Sequence, residues 1–371
     1  MSLSFWEIES WLNHVDFTVV GSGIVGLSCA LELRRLHPNA KILILEKGMF
    51  PQGASTKNAG FACFGSLSEI LDDLNHHSEE EVLKLVHQRV QGIQYLRSNL
   101  GDKAIDYQEL GGYELFLKED QAFYEECVAQ IPKVNQLLQP LFSEGVFSLK
   151  PNAFKFNGIV NNYSFNKFEG QIDTGKMMQA LIKKAYSENI LIINNCQLIK
   201  YTEQANQVTL LTHDFEFNTN YLMVATNGFA QQLVQEEVLP ARAQVLMTTP
   251  MPNMEIKGTF HLDKGYYYFR NINDRILFGG GRNLDFKTEE TAKFGLTDLV
   301  QERLETLLKE VILKDIHFEV EHRWSGIMGV GHQKKPIIKA INNRVFCGVR
   351  LGGMGIAIGS AVGKDLANLT T

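Results

Sequence analysis

Three glycines spaced through the run Phe17-Thr-Val-Val-Gly21-Ser22-Gly23-Ile24-Val25-Gly26, with the apolar stretch Lys41-Ile-Leu-Ile-Leu-Glu46 behind them, constrain this chain more tightly than any other feature. The order reads as strand, glycine turn, helix, strand and terminal acid. That is the opening unit of a doubly wound α/β sheet with a dinucleotide at the turn. Gly21 makes the turn, Gly23 lets the backbone approach a pyrophosphate, and Gly26 lets the helix lie close on the strand. The pyrophosphate then meets unpaired N–H groups at the helix start, around Ser22, Ile24 and Val25. Glu46 lies twenty residues past Gly26, where its carboxylate can accept hydrogen bonds from both ribose hydroxyls and disfavours a 2′-phosphate.

Composition narrows the class. With 371 residues, 44% of them hydrophobic, the chain can bury a large core and form two domains of about 150 residues or more. A net charge of −6 and a pI near 6.0 offer no basic surface to a phosphate backbone, so no nucleic-acid partner is expected. The five cysteines, Cys29, Cys63, Cys127, Cys196 and Cys347, are scattered and show no C-x-x-C spacing. They point to a reducing compartment, the cytoplasm, and away from a zinc site or a redox disulfide. The start, Met1-Ser-Leu-Ser-Phe-Trp-Glu7, has neither the basic flank nor the apolar centre of a secretion signal. No stretch approaches the roughly 18 apolar residues that a membrane span needs.

The pattern along the chain is discontinuous. Ser78-Glu-Glu-Glu81 forms a capping box ahead of an apolar stripe at Val82, Leu85, Val86, Val90, Ile93 and Leu96, which is core. Asp173-Thr174 opens another helix, and strands are expected at Ile190–Asn194, Val208–Thr212 and Tyr221–Ala225. The last ends in Ala225-Thr226-Asn227-Gly228, at the carboxyl edge of the sheet where ligands bind in open α/β folds. Strand signals concentrate in 106–167 and 241–322. The expected architecture is therefore a Rossmann-like domain with a parallel central sheet, formed by 1–105, 168–240 and 323–371. An interwoven α+β substrate domain with a mixed sheet, formed by 106–167 and 241–322, completes it.

Two further segments separate FAD from NAD. Pro51-Gln-Gly53-Ala54-Ser55-Thr56-Lys57-Asn58-Ala59-Gly60 follows the acidic strand end with small hydrogen-bonding residues suited to run beside an extended cofactor. Near the C-terminus, Arg350-Leu-Gly352-Gly353-Met354-Gly355-Ile356 opens a second glycine-rich helix. Two anion-favouring helix ends suit FAD, whose pyrophosphate is anionic and whose ring gains negative charge on reduction. A purely structural reading of the second group, close helix packing at Gly352, Gly353 and Gly355, stands beside this one.

These segments, with Gln171-Ile-Asp173, Pro240-Ala-Arg-Ala-Gln244, Tyr268-Phe-Arg270, Phe278-Gly-Gly-Gly281 and Arg323-Trp324-Ser-Gly326, fall in one order over nearly the whole chain. In that order the chain resembles the D-amino-acid-oxidase-type family of FAD oxidoreductases, and most of all its gamma-glutamylputrescine oxidase-like branch. The resemblance implies FAD contacts from Gly21 to Gly26, Glu46, Lys47, Ala54 to Gly60, Leu198, Ala225 to Gly228, Arg350 and Gly352 to Ile356. It implies oxidation of the C–N bond of an amine or amino acid by hydride transfer to flavin N5, the imine then being hydrolysed. Oxygen or another acceptor would take the electrons. Two alternatives stay open: a flavin dehydrogenase of a hydroxy acid or polyol, and a non-catalytic flavin-binding redox sensor.

Departures from the family pattern carry expectations of their own. Gly60, Met328 and Ala357 stand where amino-acid-binding members place a basic residue. Lys57 replaces the histidine of covalently flavinylated members, and Val345-Phe346-Cys347 is unlike the context of the cysteine-linked ones, so noncovalent FAD is expected. Tyr268, Arg270 and Arg350 are the candidate substrate-site residues: Tyr268 as the tyrosine of its strand that faces the flavin, the two arginines as partners for an anionic group.

Overall fold

The computed structural model describes residues 2–371. Two large sheets organise it. The first places, in spatial order, Ile337–Ala340, Val345–Val349, Glu216–Val224, Val15–Val20, Ile42–Leu45 and Leu191–Ile193. The pairings from Val345–Val349 through to Leu191–Ile193 are parallel, and Ile337–Ala340 is the antiparallel edge. Ile42–Leu45 is buried on both faces, which is why it reads as an unbroken apolar run. The helices Ile24–Leu36, Thr174–Ser187 and Gly355–Asn368 pack on one face. An antiparallel meander, Leu198–Glu203 and Val208–Thr212, covers part of the other.

The second sheet runs Val320–Val330, Leu239–Thr248, Arg275–Gly280, Tyr267–Ile272, Thr259–Leu262, Gly112–Leu115, Asn162–Asn166 and Phe147–Pro151. One pairing, Thr259–Leu262 with Gly112–Leu115, is parallel and the rest are antiparallel, so the sheet is mixed as expected. Its two faces differ sharply. One is an aromatic core in which Phe260 stacks on Phe269 at 4.5 Å, closed over by the helix Asp298–Leu307. The other carries a row in register across seven strands: Ser164, Glu114, His261, Tyr268, Gly279, Val245 and Trp324. This face is turned toward the first sheet's carboxyl edge.

One boundary needs correction. Val320–Val330 pairs with Leu239–Thr248 along its whole length, so residues 323–330 belong to the second sheet and the expected change of domain at 323 falls inside a strand. A continuous apolar and glycine-containing run gave no break there. The capping box holds as read: the Ser78 hydroxyl accepts from Glu81 N–H at 3.3 Å and opens the helix Glu79–Leu100.

Helix approach is set by glycines. A Cβ at Gly363 would lie 2.4 Å from the Val25 carbonyl oxygen, and one at Gly359 would lie 2.9 Å from Ile24 Cγ2. A Cβ at Gly92 would meet the Ala357 carbonyl oxygen at 2.0 Å. Helix propensity alone favours alanine over glycine by about 1 kcal/mol. Gly363→Ala is nonetheless expected to destabilise the protein by about 1–3 kcal/mol, because the crowding must push two backbones apart. Chemical denaturation checks this, and a variant as stable as the parent would contradict the contact.

Candidate active site

A single elongated cavity lies between the carboxyl edge of the first sheet and the polar face of the second. At one end it is walled by Gly21, Gly23, Ile24, Val25, Glu46, Lys47, Leu198 and Ala225-Thr226-Asn227. Gly26 performs the packing role read for it, since a Cβ there would meet the Gly21 carbonyl oxygen at 1.8 Å. Glu46 is buried; its Oε2 accepts from the Ser22 N–H (3.0 Å) and hydroxyl (2.8 Å), and its Oε1 accepts from Gly48 N–H (3.0 Å). Gln52 N–H adds a longer contact to Oε1 (3.4 Å), so the protein fixes the carboxylate through donors on both oxygens. Lys47 Nζ lies 3.2 Å from the centre of the Phe229 ring, covering this end.

The loop from Gly53 runs along the middle, with Ala54, Ser55, Lys57, Asn58, Ala59 and Gly60 in the wall. Asn58 staples it. Its side-chain amide donates to the carbonyls of Ala54 (3.1 Å) and Ser55 (2.9 Å), and its Oδ1 accepts from Gly60 N–H (2.8 Å) and the Thr174 hydroxyl (2.9 Å). The Ser55 hydroxyl accepts from Ile24 N–H at 3.0 Å and so sits at the first helix N-terminus. Opposite stand Gly352, Gly353, Met354, Gly355 and Ile356, at the N-terminus of the helix Gly355–Asn368. Gly352 and Gly353 have φ of +57° and +84°, and a Cβ at Gly352 would meet nothing within 4 Å. Their freedom is used for the backbone turn, while the glycines that serve helix packing are Gly359 and Gly363.

At the far end Phe61, Cys63, Glu69, Asp72, His261, Lys264, Tyr266, Tyr268, Arg282 and Lys334 close the cavity. Tyr268 faces it and Tyr267 is in the aromatic core. The Tyr268 ring covers Gly279, where a Cβ would lie 2.7 Å from a ring carbon. Burial pushes its hydroxyl pKa up to about 12. Its cross-strand neighbour His261 is also in the wall, with Nε2 2.6 Å from Glu169 Oε1 and Nδ1 3.9 Å from Glu69 Oε2. Burial opposes the charge on His261, but Glu169, then Glu69 and Glu114, outweigh it and push the pKa up to about 9. His261 escaped the sequence reading because Thr259–Leu262 is short and only its pairing reveals the face.

Several expected residues stand elsewhere. Arg350 is corrected: it has φ +65°, and its guanidinium donates to the carbonyls of Lys335 (3.0 Å) and Glu237 (3.3 Å), outside the cavity wall. It secures the loop before the glycines. Arg270 is corrected too. It is buried behind Gly60, where a Cβ would meet its Nη2 at 2.9 Å; its Nε has no hydrogen-bond partner, and burial brings its pKa down to about 10. Ser22, Thr56 and Gly228 do not reach the cavity surface either. The Ser22 hydroxyl is spent on Glu46, Thr56 donates to the Pro51 carbonyl (2.7 Å), and Gly228 packs under Met328, whose carbonyl oxygen a Cβ would meet at 2.6 Å.

The chain belongs to the DAO family of FAD dependent oxidoreductases, whose family model matches residues 16–369. It is 18% identical over 375 residues to the probable oxidoreductase OrdL of Haemophilus influenzae, covering 96% of this chain and 83% of that protein. Among solved structures it is similar to an iminodiacetate oxidase of Chelativorans sp. BNC1, with TM-score 0.76 at 18% identity over 95% of each chain. It is also similar to an L-proline dehydrogenase of P. horikoshii, with TM-score 0.74 at 17% identity over 96% of this chain and 93% of that one. FAD is the family's cofactor, and the cavity fits it. The Thr226 hydroxyl is buried there without a partner, two helix N-termini open onto it, and Glu46 is fixed at one end. Among the described residues no helix is long and apolar enough to cross a membrane.

His261 predicts a pH effect with a definite sign. A group whose pKa is raised on folding, here from 6.5 to about 9, stabilises the fold fully below 6.5, and that contribution is lost as pH rises through about 9. Unfolding midpoints measured from pH 6 to 10 should fall more steeply in the parent than in His261→Gln; parallel profiles would contradict a charged His261.

Proposed function

We propose that this FAD-dependent oxidoreductase oxidises the C–N bond of a primary or secondary amine. The observation that carries the reading is the cross-strand pair His261 and Tyr268 in the cavity wall. His261 Nε2 lies 2.6 Å from Glu169 Oε1; burial is outweighed there by the neighbouring carboxylates, and at Tyr268 burial acts alone, so both side chains favour their protonated form. Oxidation of a hydroxyl needs a base to take its proton; His261 and Tyr268 hold theirs, and the carboxylates in the same wall, Glu69 and Asp72, already face His261 and Lys264. An unprotonated amine needs none. Bound FAD supplies the acceptor for the two electrons that leave with the substrate's hydride. The chain's own residues hold the amine and exclude bulk water. Tyr268 and Phe61, edge to face at 5.7 Å, form an apolar wall for the carbon that is oxidised. The nitrogen lone pair closes the C=N bond as the hydride departs, and water then hydrolyses the imine to a carbonyl compound and the free amine or ammonia.

Gly60, Met328 and Ala357 all line the cavity, and none brings a charge. A buried α-carboxylate there would lack a charge-assisted partner, which supports an amine whose anionic group, where present, lies away from the reacting carbon. The Ala54–Gly60 loop and Tyr268-Phe-Arg270 support a place near the gamma-glutamylputrescine oxidase-like branch. Noncovalent FAD is part of the proposal: Cys347 is buried in the core beneath the meander, and Lys57 occupies the flavin loop. The five free, buried cysteines support a cytoplasmic setting.

Anaerobic mixing of the holoprotein with matched amines, amino acids and alcohols tests the reaction. Amines should bleach the flavin faster than glycine, sarcosine or D-alanine, and the rate at limiting amine should rise with pH as the ammonium form is depleted. Bleaching by alcohols and not amines would overturn the proposal. Acid precipitation should leave intact FAD in the supernatant, and flavin retained in the pellet would refute noncovalent binding.

A further inference from the structure

The far end of the cavity holds more than one cation, and all but one are answered. Lys264 Nζ is 3.5 Å from Asp72 Oδ1, Lys334 is bonded to Asp73, and His261 is held by Glu169. Arg282 lines the same cavity. Among the described residues its guanidinium has no hydrogen bond and no ion pair. Its recorded neighbour is the half-exposed Phe286 ring, 4.8 Å from the guanidinium carbon. Burial holds its pKa below the usual arginine range. Glu289 and Glu290 are near enough to favour its charge but neither forms an ion pair with it, and the Glu289 carboxylate already accepts from Arg242 (2.7 and 3.0 Å) and Gln244 (2.8 Å). A partly desolvated guanidinium with no protein acceptor among the described residues matches an oxyanion in bidentate geometry.

We propose that Arg282 is the specificity-determining residue that recognises a carboxylate on the substrate. The backbone delivers it to this point deliberately. Gly280 and Gly281 have φ of +127° and +78°, and a Cβ at Gly280 would lie 2.0 Å from the Tyr266 carbonyl oxygen, so only glycine permits the turn. Gly281 N–H donates to that same carbonyl at 3.0 Å and fixes the exit from the strand. Arg282 follows Gly279, the residue under the Tyr268 ring, by three positions, so the two α-carbons are at most about 11 Å apart. The carboxylate is therefore received toward the half-exposed Phe286, not at Gly60, Met328 or Ala357, and the sequence pattern that marks the family's basic positions does not reveal it.

The inference rests on the amine-oxidation reading for its substrate, but its test involves no turnover. Holoprotein is titrated with butyrate and, separately, with butyramide, and binding is followed by the difference spectrum of the bound flavin. Butyrate should perturb the parent spectrum saturably. Arg282→Met should raise the butyrate Kd at least tenfold, Arg282→Lys should recover part of the loss, and the butyramide Kd should change less than twofold. Equal butyrate affinity in parent and Arg282→Met overturns the proposal. So does an absence of butyrate binding to the parent, or a parallel loss of butyrate and butyramide in both variants. Failure of amines to bleach the flavin, with the butyrate pattern intact, would instead count against the reaction and leave the role of Arg282 standing.

Discussion

Everything in this molecule depends on how closely two helices from opposite ends of the chain approach one another. The helices Ile24–Leu36 and Gly355–Asn368 meet through Gly359 and Gly363, with the Ser28 and Ser360 hydroxyls 3.3 Å apart. Any larger side chain at Gly363 would collide with the Val25 carbonyl. This contact brings residues more than 300 positions apart into one wall and opens both helix N-termini onto the same cavity. Two positive dipole ends then face one cavity, the first with its Ile24 N–H already held by the Ser55 hydroxyl. Asn227 ties the arrangement to the sheet: its Oδ1 accepts from the N–H groups of Arg350 (3.1 Å) and Leu351 (3.2 Å), holding the second glycine group beside the strand end at Val224.

The second sheet solves a complementary problem. It must bury one face completely and offer the other to a ligand, and period-two alternation allows both on the same strands. Phe260 and Phe269 point into the aromatic core while His261 and Tyr268 point to the cavity. Thr259 and Arg270 form the next row, behind the flavin loop. A slip of one residue in the pairing of Thr259–Leu262 with Tyr267–Ile272 would put phenylalanines in the cavity and a histidine in the core. The stacked Phe260 and Phe269 rings, 3° from parallel, hold that register.

The first unit of the fold and the cofactor end of the site were legible because their signals are local. Gly21, Gly23, Gly26 and Glu46 act within one strand-helix-strand segment, so spacing alone carries their geometry. Tyr268 was legible in part, since alternation allowed one of two tyrosines to face the flavin. The arginines were not. Arg270 and Tyr268 share a face, but Gly60 lines the cavity and Arg270 sits behind it, where a Cβ on Gly60 would meet both its Nη2 and the Ile172 carbonyl oxygen, and that arrangement comes from segments about a hundred residues or more away. Arg350 is adjacent to the glycines in sequence and still turns away, because a left-handed backbone at φ +65° points its side chain to Lys335 and Glu237. His261 and Arg282 gave no sequence signal: a lone histidine in a short strand and an arginine after a glycine run become meaningful only when pairing and partners are known.

The charge arrangement at the far end bears on how an amine is held there. Asp72 and Asp73 face Lys264 and Lys334, and Glu69 and Glu169 flank His261. Each of these carboxylates therefore has a cationic neighbour, and at this end of the cavity the guanidinium of Arg282 is a cation without an ion-pair partner among the described residues. An ammonium entering such a site gains little attraction and still loses hydration, so its neutral form is favoured relative to water. The neutral amine is the form that can give up hydride. The same balance that denies the ammonium a partner leaves an anion one, so a substrate carrying both groups would be oriented with its charge toward Arg282 and its neutral nitrogen toward Tyr268. Orientation and protonation state then follow from one distribution of charge, with no separate base required.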